Sequence, residues 1–413
     1  MHGRKHMNGV IWNSLGSTMY GANSFIMLAM VSRIGTVEQA GCFGIAFTTA
    51  QILYIVGLFG VSHFQMTDYK ERYHFQDYWV ARCISGMLML VICFAAILCL
   101  RFSQEKIWYT ILLTILMLLN AFGDLYQNLF FQKNRLDLSG STLFFRTLVS
   151  LLFFCAILLI TRNIAFAIIS QIISNGILTL FYAKKIAKPF LPVQSGSRKA
   201  SVRSLVTECL PLFFSLFFMN IIINASKYGV EFFLDDTAQG YYNMIFMPVQ
   251  VINLCSQFIF KPYLNQYAAA LSSTNHRTFW KLFVFHCFLI AGFIFAGSLA
   301  SYYFGTLVLG FIYGKDISSY ALTLTLVVLG GGIYAVCQLC YYIFVLLRCQ
   351  TRIMVIYIVG LIVAAVSSAY FISAFGLLGA ALSFIAVQIV ILILYSISFV
   401  QVLNSTKRND AYA

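Results

Sequence analysis

Charge is what this 413-residue chain lacks: 10% of its residues are Asp, Glu, Lys or Arg, and only 13 of them are acidic. A soluble domain of this size carries about a quarter charged residues, so a water-solvated fold is excluded. Nor is any polar stretch long enough to form a separate soluble domain. Proline is scarce, with five residues all lying between Pro189 and Pro262. A Walker A glycine loop is missing, so the chain cannot itself run on ATP, and neither GxSxG nor HExxH occurs. Eleven cysteines are present, but Cys93, Cys99, Cys155, Cys255 and Cys287 lie inside apolar runs, where cysteine acts as a small buried hydrophobe. Cys337 and Cys340 form a CxxC with no second Cys pair or nearby His to complete four metal ligands. No metal and no cofactor is expected.

What fills the chain is apolar: 61% of residues are hydrophobic and the mean hydropathy is +0.85. A helix needs about 20 mostly apolar residues to cross the hydrocarbon core. That length picks out twelve spans, at 10–32, 40–62, 80–100, 107–131, 142–160, 163–183, 208–228, 239–259, 279–304, 319–347, 353–371 and 376–403. The expected fold is therefore all-α, a polytopic membrane protein of two six-helix bundles. The lobes are expected at 1–183 and 208–413, joined by a basic, Pro/Gly/Ser-containing linker at 184–207. The first span is too long and polar for a cleavable signal and is expected to be retained.

The net charge of +14 would suggest nucleic acid in a soluble protein, but in a membrane chain each Lys and Arg must first be placed. With both termini in the cytoplasm, 21 of the 27 basic residues fall inside and six outside: Arg33, Arg101, Lys106, Arg162, Lys227 and Lys315. Such a bias is the positive-inside pattern. The charge is mostly topological, and no nucleic-acid partner is expected.

Two halves of the chain echo one another. Gln39-Ala40-Gly41-Cys42-Phe43 opens the second span, and Ala238-Gln239-Gly240-Tyr241-Tyr242 opens the eighth. Arg135 and Arg352 begin the fifth and eleventh spans, while Gln171 and Gln388 lie in the sixth and twelfth, and each pair is 217 positions apart. A parallel duplication is expected, because each half has an even number of spans.

Polar residues inside the spans fall in stripes. Asn220, Asn224, Lys227 and Glu231 share one helical face, as do Asn13, Ser17, Tyr20 and Ser24 in the first span. Asn120, Asp124, Gln127 and Asn128 line the fourth span, and Asn243, Gln250, Asn253 and Gln257 the eighth. Lipid cannot hydrogen-bond these groups, so the faces are expected to point inward. A single Asn or Gln is more simply helix-to-helix glue. Asp124 is the one carboxylate placed well within a span, and it and Lys227 are each either functional, part of a structural ion pair or a snorkelling end group. Arg82, Arg146 and Lys261 fall at inner span ends, where anchoring to headgroups is expected. Pro211 and Pro248 interrupt spans as candidate bending points.

Asp235-Asp236-Thr237-Ala238-Gln239 is similar to the acidic motif of membrane prenyltransferases, but no second Asp-rich cluster answers it. A polysaccharide polymerase or ligase would also be basic and polytopic. Those enzymes carry a large outer loop with catalytic Arg or His, and every outer loop here is short.

Several local patterns resemble the polysaccharide-lipid (Wzx-type, oligosaccharide) flippases of the multidrug/oligosaccharidyl-lipid/polysaccharide exporter superfamily. They are Asn13-Ser14-Leu15-Gly16-Ser17, Ser32-Arg33-Ile34-Gly35, Glu38-Gln39-Ala40-Gly41-Cys42-Phe43-Gly44, and Phe64-Gln65-Met66-Thr67-Asp68 with Arg82. Lys227-Tyr228, Gly240-Tyr241-Tyr242, Pro248, Pro262 and Gly376-Leu377-Leu378-Gly379-Ala380-Ala381 complete the likeness. The resemblance implies a transporter, not an enzyme, with two lobes around a central cavity in the bacterial cytoplasmic membrane. Its substrate would be a polyprenyl-diphosphate-linked oligosaccharide, such as an O-antigen repeat unit, moved by alternating access. Membrane lipids, H+ or Na+, and polysaccharide assembly proteins would be its partners. Lys227 and Arg33 would contact the diphosphate, Asn220, Asn224 and Asn120 the sugar, and Asp124 would couple the cycle to an ion. A cation-coupled multidrug exporter of the same superfamily is the nearest alternative.

Overall fold

The computed structural model describes residues 2–68, 72–100, 102–191, 199–272, 276–347 and 349–410. Lys70, Arg101, Arg198, Arg348 and linker residues 192–198 lie outside the described residues. Every regular element among the described residues is helical, as expected where lipid cannot satisfy open backbone groups. Ten stretches of the described residues are long and apolar enough to cross a membrane.

With the first helix added and the last stretch counted as two, these account for the twelve expected spans. Helix α1, His2–Ile34, is long enough but more polar than the rest. Then follow α2 (Val37–Leu58), the short α3 (Val61–Thr67), α4 (Phe75–Leu100), α5 (Gln104–Gln132) and α6 (Leu136–Thr161). Arg162, at φ 51°, ends α6, and Asn163 caps α7 (Ile164–Ile177) through its side chain and the Phe166 N–H. This span continues through a π-helical stretch, Leu178–Ala183, into α8, Lys184–Ala187.

In the second half, α9 (Lys199–Phe233) and α10 (Asp236–Phe260) continue through Pro211 and Pro248. The short α11 (Leu264–Ser272) precedes α12 (His276–Ala300), which passes through a π-helical stretch, Ser301–Gly305, into α13 (Thr306–Tyr313). The last elements are α14 (Ala321–Leu346) and α15 (Gln350–Asp410). Helix α15 supplies two spans, because Gly376 breaks it with φ 57° and ψ −132°, backbone that only glycine adopts readily. Its two halves run antiparallel: the Tyr395 hydroxyl donates to Tyr357 at 3.1 Å, Ser383 bonds Ser367 and Ser368 at 2.9 and 3.0 Å, and Arg352 donates to the Ser398 carbonyl at 3.1 Å. Each pair straddles the 375–376 position, as in a helical hairpin.

The chain forms two compact units, Met1–Phe217 and Phe218–Ala413. The division falls inside α9 rather than in the 184–207 linker, because Phe213 stacks on Phe59 at 4.4 Å and Glu208 bonds Arg72 at 2.9 Å. The 217-position spacing of the sequence echoes equals the length of the first unit. Within that unit α1 lies along α6 at an approach only glycine permits. A Cβ on Gly140 would stand 2.2 Å from the Trp12 carbonyl carbon, and one on Gly16 would stand 2.5 Å from the Gly140 oxygen. Small residues at a crossing let transmembrane backbones close on each other, and this one fixes the height of Arg146 on α6.

Candidate functional site

The first unit holds a charged cluster in its interior. Asp124 on α5 accepts hydrogen bonds from Asn128 at 2.8 Å, from Arg82 at 3.1 Å and from the Ser62 hydroxyl. Arg82 is 0% exposed and also donates to the Gly57 carbonyl at 2.7 Å and to Ser62 at 3.1 Å. Asp124 is thus half of a buried ion pair, its side chain 18% exposed.

Beside this pair stands a second guanidinium with a different environment. Arg146 on α6 is 4% exposed, and no hydrogen bond or ion pair holds it among the described residues. Asp124 lies within its electrostatic range, as do Tyr20 and Tyr54, whose hydroxyls bond each other. The carboxylate, however, is already bonded by Arg82, Ser62 and Asn128. Gly123 makes the room: a Cβ there would fall 1.3 Å from Arg146 Nη1.

Arg82 and Arg146 therefore do not anchor to headgroups as the sequence suggested. Arg82 lies seven residues into α4 and Arg146 ten into α6, about 10 and 15 Å along each helix at 1.5 Å per residue. The expected spans began too late, at 80 and 142, so both arginines seemed terminal. Lys261 is exposed at the end of α10, its ammonium 5.4 Å from the Tyr342 ring, as an interfacial residue would be.

In the second unit Lys227 on α9 is 6% exposed, with Nζ 4.6 Å from the centroid of the Phe246 ring on α10. Among the described residues no carboxylate stands within ion-pair distance of it. A buried ammonium normally has a partner, because desolvation costs several kcal/mol; a cation–π contact returns about 2 kcal/mol at most sites of this kind. Asn220 and Asn224 lie on the same helix, and Asn224 donates to the Asn220 carbonyl at 2.9 Å.

The remaining candidates are placed elsewhere. Asn120 is buried in the first unit, where it accepts from Asn175 at 3.0 Å and its amide nitrogen is 3.8 Å from Met117 Sδ. Asn175 in turn accepts from Thr179 at 3.2 Å, so this amide joins α5 to α7. Arg33 is exposed on the last turn of α1. Among the described residues no three His, Cys, Asp or Glu side chains cluster to hold a metal. Cys337 is buried with its thiol donating to the Gln388 carbonyl at 3.5 Å.

The profile of the polysaccharide biosynthesis protein family matches residues 7–268. This chain belongs to that family. No protein of curated function matches the chain. Among solved structures it is similar to an inward-facing multidrug resistance MATE family transporter of the MOP superfamily, at 11% identity and a TM-score of 0.73 over 98% of this chain and 99% of that one. The lipid II flippase MurJ, in an inward closed conformation, is similar at 14% identity and a TM-score of 0.70 over 94% and 87%. A point mutant of the Vibrio cholerae MATE transporter VcmN matches at 14% identity and a TM-score of 0.63 over 96% and 97%. At these identities the likenesses establish an exporter fold. The polysaccharide biosynthesis family member described here thus has that all-helical fold.

Proposed function

We propose that this protein is a flippase that moves a polyprenyl-diphosphate-linked oligosaccharide, such as an O-antigen repeat unit, across the bacterial cytoplasmic membrane, with both termini in the cytoplasm. The observation that carries the reading is Lys227: a buried ammonium over an aromatic ring, with no carboxylate partner among the described residues. A cation left unpaired at such cost is what a transporter of an anion needs, because the substrate itself becomes the counterion. In the first unit Arg146 is a second buried cation, held by no ion pair among the described residues. Arg33, exposed on the last turn of α1, is assigned to the diphosphate at the end of its path.

Asn220 and Asn224 are assigned to sugar hydroxyls, since they share the Lys227 helix face. Asn120 is left out, because its amide is already bonded between α5 and α7. Coupling to H+ or Na+ is assigned to Asp124, the carboxylate that holds Arg82. Membrane lipids surround the spans, polysaccharide assembly proteins supply and accept the substrate, and no chemical step is required of the chain.

The test is Lys227→Met. A structural cation would be missed by the fold, whereas an unpaired one is a burden to it. Lys227→Met should unfold at or above the wild-type temperature, abolish surface polysaccharide, and leave lipid-linked units in the inner leaflet. Normal polysaccharide output from that variant would end the anion-contact reading.

A further inference from the structure

A cavity of about 720 Å³ opens in the second unit, where three separate segments meet: the α9–α10 turn, the start of α14 and the break in α15. With the termini cytoplasmic, all three lie on the outer side. Its lining differs from the cation sites. Asp235 contributes a carboxylate, Ser319 and Thr323 contribute hydroxyls, Tyr320 and Phe375 contribute rings, and Gly376 turns the backbone along one wall.

These groups are set for a ligand. Asp235 caps α10, accepting from the Ala238 N–H at 2.7 Å with Oδ1, so its second oxygen is directed by the cap without being used by it. Thr323 is 5% exposed, yet its hydroxyl has no hydrogen-bond partner among the described residues and borders the cavity. A helical threonine ordinarily bonds the carbonyl four residues back, as Thr325 does to Ala321 at 2.9 Å. Tyr320 is held from behind by Tyr241, ring centroids 4.9 Å apart. Phe375 stands 54% exposed at the rim.

A carboxylate oxygen and hydroxyls beside open aromatic faces match the two kinds of surface on a sugar ring, its hydroxyl edge and its C–H face. Among the described residues the one charge at the cavity wall is that of Asp235, which repels a diphosphate. We propose that this cavity is an outer saccharide-binding site that holds the glycan of the translocated molecule after it has crossed. The role as export site rests on the flippase reading; the binding of a saccharide does not.

The full chain in lipid nanodiscs is titrated by calorimetry with the glycan released by mild acid from the host's polyprenyl-linked pool, free of diphosphate and lipid. Saturable binding is expected, weakened about threefold to tenfold by Thr323→Val, as loss of one hydrogen bond implies. Asp235→Asn, which keeps the cap, should weaken it as well, while Thr323→Ser, which keeps the hydroxyl, should bind as wild type does. Absence of glycan binding, or binding indifferent to both Thr323→Val and Asp235→Asn, overturns the site. Vesicle flipping by the same preparation separates the two proposals: flipping without glycan binding refutes the cavity alone, and variant-sensitive glycan binding without flipping refutes the flippase and leaves the cavity a saccharide site.

Discussion

Asp124→Ala would strip a fully buried guanidinium of its carboxylate. Arg82 is 0% exposed, and among the described residues Asp124 is its ion-pair partner. After the change it keeps the Gly57 carbonyl and the Ser62 hydroxyl, neither of which carries charge. Breaking a buried pair in this way costs about 3–5 kcal/mol. The donors of Ser62 and Asn128 lose an acceptor too, at about 1 kcal/mol each if nothing replaces it. The double variant Arg82→Met with Asp124→Leu removes the charge along with its partner, and such apolar replacements are often neutral or stabilising. Thermal unfolding in detergent, followed by fluorescence-detected size exclusion, should therefore rank wild type and the double variant together, well above Asp124→Ala. An Asp124→Ala protein that melts with wild type, or a double variant no better than the single, refutes the buried-pair account. Asp124→Asn separates the coupling role: loss of transport at an unchanged melting temperature would assign the carboxylate to the ion rather than to the fold.

Gly140→Ala sets a methyl group against the Trp12 backbone, which cannot rotate away; a loss of about 1–3 kcal/mol is expected, read as a lower melting temperature and faster proteolysis of α1. At Gly123→Ala the obstructed atom is instead the end of a long side chain, so Arg146 should swing aside, with transport falling while thermal stability changes little. Glu208→Ala removes the acceptor of Arg72, Tyr73 and Ser204; because Arg72 is exposed, the ion pair adds at most about 1 kcal/mol, and the melting-temperature difference from wild type should shrink in high salt.

Much of the fold was legible because lipid leaves one solution for the backbone, and apolar length marks it directly. The twelve spans, the α6–α7 break at Arg162 and the caps that open α2 and α10 all carry local signals. In α2 the Thr36 hydroxyl accepts from the Gln39 N–H at 3.2 Å, and the Gln39 side chain accepts from the Thr36 N–H at 3.2 Å. Less visible were the true starts of α4 and α6, where His74, Phe75, Leu136 and Asp137 are too mixed in polarity for a hydropathy window. That misplacement hid Arg82 and Arg146, since a basic residue near a span end and one two or three turns inside it look alike in sequence. Lys227 and Asp124 were legible as charges at depth, but whether each had a partner was not. Pairing depends on residues up to 62 positions away, such as Ser62 with Asp124, and only packing brings them together.

Helix α9 carries a consequence for biogenesis. Its first half belongs to the Met1–Phe217 unit and its second half to the other. Six spans can leave the ribosome and enter the bilayer before residues 192–198 appear, yet Phe213 for Phe59 and Glu208 for Arg72 are still to be synthesised. The first unit therefore matures one span late, waiting for the seventh helix to return to it. Co-expressed fragments cut at 192–198 would leave the amino-terminal piece without those contacts until the carboxy-terminal piece is inserted beside it.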